Sequence, residues 1–473
     1  MRVTTITKER LLHWTRRTVG VALPISYVLA MYSIVRMQIV PGKYLLLALP
    51  IATIVVLLLS LAHFKKVSTV ARSLSLVAVS LLLIVVNIYI YSASSATTTF
   101  LKSIEDKGYT YQEYSIIAKK DQHIKLATSH DQHAALLATD TNTDLVKAEV
   151  NNRTRTDYKN YSELTSLTVG LDNKEVGMAA LKSSYVQLLQ ENNNPFYQSV
   201  EVLATFKIKV KTDTSNVKTD ITKPFVVYIS GIDTYGAIDT VSRSDVNILL
   251  IVNPQTHKIL LVNTPRDYYV QLHGTTGVRD KLTHAGIYGI DMSVKTLEDL
   301  YDTHIDYYMR INFSSLTSIV DAIGGVNVFS DYTFKTDHYS FGTGYNQVDG
   351  KKALEFSRER HSFEDGDRTR GKNQQHVIEA IIDKMNNPKS LANYRGILAS
   401  LQQALQTNMS SNTITVLINK QLNDLSKWQV ESVSADGTGK SAPTYSMGST
   451  NLYVMEPDTA SLQNAKQKIR QSQ

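Results

Sequence analysis

The sequence predicts an α/β protein carried on three membrane-spanning helices, and three observations predict it. Three apolar runs crowd the first quarter of the 473 residues. In the carboxy-terminal half, short buried-strand runs such as FVVYIS (Phe225–Ser230) alternate with helical periodicities such as QHVIEAIIDKM (Gln375–Met385). Between the two lies a stretch of ordinary globular composition, which predicts an accessory α+β domain.

The apolar runs are Thr18–Val35, Tyr44–Phe64 and Leu74–Tyr91. Each approaches or passes the roughly 18–20 residues that a helix needs to cross a bilayer. They lack the polar stripe of a soluble core helix, and Pro24 and Pro50 inside them are tolerated in membrane helices. A cleaved signal peptide fits poorly, because the first run has no small-residue cleavage site and two more spans follow. Arg2, Lys8, Arg10, Arg16 and Arg17 precede the first span, and Lys65, Lys66 and Arg72 separate the second from the third. The positive-inside rule therefore places the amino terminus and second loop in the cytoplasm and everything after about Tyr91 outside.

SASSATTT (Ser92–Thr99) reads as a polar linker leaving the membrane. In the segment that follows, VGMAALKSSYVQLLQ (Val176–Gln190) predicts an amphipathic helix and VEVLATFKIKV (Val200–Val210) a strand. His123, His130 and His133 lack metal-ligand spacing and read as surface residues. KTDTSNVKTDITKP (Lys211–Pro224) marks a boundary. Beyond it come the Phe225–Ser230 strand, a hairpin of Val246–Val252 and Ile259–Thr264, a helix from Ser314 to Ile323 stopped by Gly324-Gly325, and a strand at Val326–Phe329. The tail adds a helix, a strand at Trp428–Val433 and a polar terminal helix. The predicted domains are 1–99 for the amino terminus and spans, 100–215 for the accessory domain, and 216–473 for an α/β/α domain with a central mixed sheet.

The formal charge of +7 could suggest nucleic acid, but much of the excess lies in the cytoplasmic flanks of the spans, where anionic headgroups are the expected partner. The cytoplasmic material is also too short for a helix-turn-helix and its core. With no cysteine in the chain, disulfides, thiolate metal sites and cysteine nucleophiles are excluded.

Three clusters at strand ends carry candidate chemistry. Asp233 follows one strand, and Arg243 and Asp245 precede the next. Arg266 and Asp267 stand at the exit of the hairpin in NTPRDYYV. RERHSFEDGDRTRGKNQQ (Arg358–Gln375) holds Arg358, Arg360, Asp367, Arg370 and Gln374. Forked guanidiniums match phosphate oxygens, and carboxylates at strand ends suit Mg2+, which fills its shell with phosphate and water. The Gln374 helix would add its positive end. From charge alone, a pyrophosphate site and a solvated charged surface remain equally open.

SRSDVNILLIVNPQTHKILLVNTPRDYYV, DKLTHAGIYG, IDYYMRINFSSLTSIVDAIGGVNV and EFSRERHSFEDGDRTRGKNQQHVIEAI closely resemble the LytR-CpsA-Psr family from about Phe225 to Met385. The three spans and accessory segment resemble its capsule-associated, streptococcal-type branch. The resemblance implies a Mg2+-assisted phosphotransferase of Gram-positive envelopes. Such an enzyme moves capsular polysaccharide, or another glycopolymer, from a polyprenyl-pyrophosphate carrier to peptidoglycan. Polyprenyl pyrophosphate hydrolysis would be a side activity, and capsule assembly proteins would be partners beside membrane lipid. It further implies that Asp233 and Asp245 hold the metal, and that Arg243, Arg266, Arg358, Arg360 and Gln374 grip phosphate. Asp367, with Arg370 and Arg266, would be catalytic, Asp367 as general base. The lipid would lie between the sheet and the helices from Ser314 and Gln375. Many relatives carry a basic residue where Asn373 stands, and Lys372 is the substitute. The alternative is a regulator of capsule synthesis or chain length that binds the lipid-linked polymer without catalysis.

Overall fold

The computed structural model describes residues 2–67, 69–105, 108–126, 133–191, 195–211, 220–232, 238, 241–386 and 405–473. The chain divides into two compact units, Met1–Ser103 with Ser410–Ser426, and Ile104–Met409 with Lys427–Gln473.

In the first unit, helices Arg2–Met37, Gly42–Phe64 and Val70–Ile104 are each long and apolar enough to cross a membrane. Their outward apolar side chains stay exposed, as expected of surfaces that meet lipid. Leu23, Tyr27 and Val56 pack with Leu83 and Ile84 where the three helices meet. Polar side chains add interhelical bonds. The Tyr27 hydroxyl meets Thr53 Oγ1 at 2.7 Å, and Asn87 Nδ2 donates to Ser26 Oγ at 3.0 Å. Arg16 donates to the carbonyls of Ala62 and Lys65, capping the end of the second helix. The Ser411–Asp424 helix joins this unit, with Asn419 Nδ2 donating to the Gln38 carbonyl at 2.9 Å.

The expected Ser92–Thr99 linker is instead helical, since the third helix runs on to Ile104. The tract contains neither Gly nor Pro. Thr97 and Thr98 return their hydroxyls to the carbonyls four residues back, at 3.0 Å each, so these polar side chains need no water.

The second unit contains two mixed sheets. The accessory sheet orders its strands Tyr158–Tyr161, Ala134–Leu137, Met178–Lys182, Tyr109–Lys119 and Val200–Lys211. The predicted helix over Val176–Gln190 is corrected here. Its first half is the strand Met178–Lys182, and only Ser183–Glu191 is helical. All five strand residues are buried between parallel and antiparallel neighbours, and that burial on both faces overrides helical propensity.

The larger sheet runs Leu405–Thr407, Tyr307–Asn312, Phe225–Ile232, Ser244–Asn253, Lys258–Asn263 and Gln429–Ser434. Alternate residues feed opposite layers, as strand geometry requires. Tyr228, Leu249, Ile251, Leu260 and Val262 pack under the helices Ile290–Tyr301 and Thr459–Ser472. Ile229, Ile248, Ile259 and Leu261 face Ile378 and Ile382 of the helix Gly366–Met385. The predicted α/β/α layering with a mixed sheet is what the chain adopts. A hairpin of Gly437–Thr444 and Gly448–Pro457 was not read from the sequence, where Gly439 and Pro443 break the strand pattern. Most of the Lys211–Pro224 boundary, and the start of the tail, lie outside the described residues.

Candidate active site

The hairpin register creates the site. Ile248 pairs with Asn263, so the beginning of one strand and the exit of the next share a sheet edge. Asp245 and Arg266 meet there, with Arg266 Nη1 2.9 Å from Asp245 Oδ2. Gly231 of the neighbouring strand pairs with Val246 and brings the end of that strand to the same edge. Two helices close the site. Gly350–Arg358 contributes Arg358 at its last turn, and Gly366–Met385 places Asp367, Arg370 and Gln374 at i, i+3 and i+7 along one face. This second helix approaches the sheet closely because residue 371 is glycine. A Cβ there would collide with the Asn263 side chain.

A cavity of about 840 Å3 results, its wall including Asp245, Arg266, Arg358, Arg360, Arg370 and Gln374. Six predicted site residues thus converge. Arg243 is not part of the wall, but its charge acts on Asp245. Asp367 stands behind Arg370, whose Nη2 is 3.1 Å from Asp367 Oδ1. Asp233 lies outside the described residues.

Two expectations about the third cluster are corrected. Its helix begins at Gly366 rather than at Gln374, so Gln374 sits two turns inside and the positive helix end lies beside Asp367. Asn373 is buried and donates to the Phe356 carbonyl at 3.2 Å, so it joins the two helices. Lys372 faces outward on the exposed side of the helix and does not replace a phosphate contact.

Electrostatics explain why the arginines tolerate one another. Burial alone would raise the Asp245 carboxyl, yet Arg266, Arg243 and Arg370 hold it below the usual carboxylate range. Thr283 Oγ1 also donates to Asp245 Oδ1 at 2.9 Å. Burial opposes the charge on Arg266, but Asp245, Asp267 and Asp367 outweigh it and raise its affinity for the proton. For Arg370, burial and the repulsion of Arg266 prevail over the acids, so the charged form is weakened. A cation held at such cost favours an incoming anion.

The sequence reading assigned no role to Asp267, Lys281 or Thr283. Asp267 is 4% exposed; its Oδ1 takes the Lys281 ammonium at 3.0 Å, and its Oδ2 lies 3.5 Å from Arg266 Nε. Asp267 and Asp367 lie close enough to shift each other's proton affinity. Against burial, Lys281 and Arg266 drive Asp267 down. Burial and the charge of Asp267 push Asp367 up, Arg370 notwithstanding. Of the two, Asp367 holds a proton the more readily. The signal in the sequence was NTPRDYYV followed by DKLTH, but only the fold shows that these strand ends touch.

Among the described residues, no group of three or more His, Asp and Glu is set to hold a metal ion. Asp245 has one donor on each carboxylate oxygen and keeps lone pairs free. One carboxylate beside a phosphate fits Mg2+, which needs few protein ligands when substrate phosphate and water complete its shell.

The chain's relatives include curated transferases. A protein from Bacillus cereus named polyisoprenyl-teichoic acid--peptidoglycan teichoic acid transferase TagU is 33% identical over 234 residues, which cover 49% of this chain and 73% of that protein. The protein of the same name from Enterococcus faecalis is 35% identical over 209 residues, covering 44% and 68%. The crystal structure of Bacillus subtilis TagV aligns with a TM-score of 0.44 at 26% identity, over 53% of this chain and 97% of that one. A sequence profile of the LytR_cpsA_psr family matches residues 192–471, more than half the chain and all of the cavity described above, and the chain belongs to that family.

Proposed function

We propose that the chain is a membrane-anchored transferase that joins a glycopolymer from a polyprenyl-pyrophosphate carrier to peptidoglycan outside the cell. The observation that carries this reading is the convergence of Arg266, Arg358, Arg360 and Arg370 on one cavity, with Asp245 in the same wall and the Asp267–Asp367 pair behind Arg266 and Arg370. Four forked guanidiniums on one wall can share the oxygens of a diphosphate between them, which a single carboxylate cannot satisfy.

The acceptor hydroxyl attacks the reacting centre of the carrier-linked sugar and loses its proton. If attack falls on the anomeric carbon, polyprenyl pyrophosphate leaves. If it falls on the sugar-linked phosphorus, the phosphate travels with the polymer and polyprenyl phosphate leaves. Both leaving groups are anions, so the arginines lower the barrier by meeting charge as it develops. Asp367, when ionised, is the carboxylate with the stronger affinity for the acceptor proton. Mg2+ would be held by Asp245, together with Asp233 as the family resemblance implies, and would supply further neutralisation of the phosphate oxygens.

The carrier's hydrocarbon has a place beside this cage. Val246 lines the cavity and also packs in the apolar layer between the sheet and the helix Gly366–Met385. The positive flanks of the first and second-to-third span segments support a cytoplasmic amino terminus and an outside catalytic unit. Capsular polysaccharide as the polymer rests on the resemblance of the three spans and accessory segment to the capsule-associated branch alone, whereas the named relatives concern teichoic acid.

The test incubates full-length chain in nanodiscs with radiolabelled polyprenyl-pyrophosphate oligosaccharide, Mg2+ and purified peptidoglycan. Label should move into the peptidoglycan, and Arg266→Ala should prevent it. Label retained on the carrier, or released only as free sugar, would overturn transfer. Capsular and teichoic oligosaccharides run in parallel would decide the polymer.

A further inference from the structure

Away from the arginine cage, a cleft of about 590 Å3 opens between the accessory sheet and the carboxy-terminal hairpin. Both of its walls belong to the second unit. We propose that this cleft is a second saccharide-binding site, built for a sugar unit that carries a carboxylate, with Lys182 as the counter-charge.

Three features point to a ligand. The first is Lys182, the last residue of the strand Met178–Lys182 and only 6% exposed. Its ammonium lies 5.3 Å from the ring centre of Tyr288, a residue of the cleft wall. Among the described residues the side chain makes no hydrogen bond and no ion pair. Asp140 is close enough to act on it by charge, but its carboxylate is taken by the Tyr114 hydroxyl at 2.8 Å and the Asn142 backbone N–H at 3.0 Å. A buried ammonium that meets an aromatic face and feels one carboxylate only at a distance is a costly arrangement that an incoming anion relieves.

The second feature is Thr444, fully buried in the same wall, whose hydroxyl has no hydrogen-bond partner among the described residues. Buried hydroxyls are ordinarily satisfied, so this one marks a place for a ligand oxygen or a water that a ligand replaces.

The third is the wall itself. Tyr185, Tyr288 and Tyr445 line it, with Tyr185 and Tyr288 edge to face at 6.3 Å and their hydroxyls 2.9 Å apart. Tyrosine rings cover the C–H faces of a pyranose while hydroxyl side chains exchange hydrogen bonds with its OH groups. Ser446 of the wall closes with Asp280 and His284 behind it, at 2.6 Å for Asp280–His284 and 2.7 Å for Ser446–His284, all buried, and the trio fixes the hairpin turn against the α/β/α layers. Both Asp280 and Ser446 approach the same ring nitrogen of His284, so this trio is a clamp and not a nucleophilic relay. Glu163 is the one carboxylate in the wall, and it is bonded by Thr165 at 3.2 Å. A sugar hydroxyl can donate to it, while the sugar's anionic group points to Lys182. A single ammonium matches the single charge of a carboxylate better than a phosphate, which would call for more donors.

The proposal concerns binding alone and stands whether or not the arginine cage performs transfer. Full-length chain in nanodiscs is titrated with a hyaluronan tetrasaccharide, which alternates glucuronate and N-acetylglucosamine, and with neutral chitotetraose, each followed by saturation-transfer NMR and calorimetry. The glucuronate probe should bind saturably and at least about tenfold tighter than the neutral one. Lys182→Met should abolish that preference, Thr444→Val should weaken both probes, and Arg266→Ala should change neither. Lys182→Met removes a buried charge while keeping an unbranched side chain only one atom shorter, and its unchanged circular dichroism would show that the fold persists. No saturable binding, equal affinity for the two probes, or binding that survives Lys182→Met would overturn the site. So would loss of binding in Arg266→Ala, which would move it to the cage.

Discussion

Arg266 acts on three acids of the site: it pairs with Asp245 at 2.9 Å, lies beside Asp267, and feels the charge of Asp367. Arg266→Ala should lower transfer by about 100- to 1,000-fold, the usual loss for one oxyanion-stabilising donor. Arg266→Lys should recover little, because a point charge cannot reproduce the forked contact. Asp245→Ala should lower the thermal midpoint as well as the rate, since removing one partner of a buried pair costs about 3–5 kcal/mol. The carboxyl pair gives a pH signature. Asp367 works as a base only when ionised, so transfer falls as pH drops through its raised pKa. Asp267→Asn removes one cause of that elevation and should move the acid limb of the pH–rate profile to lower pH. The arginines were legible in the sequence because charges so concentrated demand a partner. Lys281 was not, since it reaches Asp267 only through the loop that follows the hairpin.

The helix Gly366–Met385 is the element that assembles the cage, and Gly371 sets its distance from the sheet. Gly371→Ala should push the helix away from Asn263, costing about 1–3 kcal/mol of stability and reducing transfer through misplaced Arg370 and Gln374. Asn263→Ala in the same chain should restore part of both, because the colliding atoms belong to that side chain. Comparing thermal midpoints and rates for the single and double variants tests the coupling. Five strands of the two mixed sheets were legible, from buried apolar runs such as FVVYIS or from alternation as in VEVLATFKIKV. Met178–Lys182 was misread because its helical period continues into the real helix after it, and nothing local announces that both faces are buried. The Gly437–Pro457 hairpin was missed for the opposite reason, as its glycines and proline read as loop.

At the scale of the whole molecule, the proposed transfer requires the arginine cage to lie outside the cell. The chain has no cysteine, so introduced thiols report topology cleanly. In intact cells, a membrane-impermeant maleimide should label Glu364→Cys, which is exposed near the cage, and should reach Lys66→Cys only after lysis. The reverse pattern would place the cage on the inner side. The α/β/α layering and the three spans were readable because each depends on local periodicity. The carboxyl pair and the accessory cleft were not, because each joins strands, loops and helices far apart in the chain.

The most direct measurement is a structure of the full chain bound to polyprenyl pyrophosphate. The diphosphate should lie within hydrogen-bond reach of Arg266, Arg358, Arg360 and Arg370, with its lipid between the sheet and the helix Gly366–Met385. A diphosphate seated elsewhere on the molecule, leaving those guanidiniums with their carboxylates alone, would contradict the proposed chemistry.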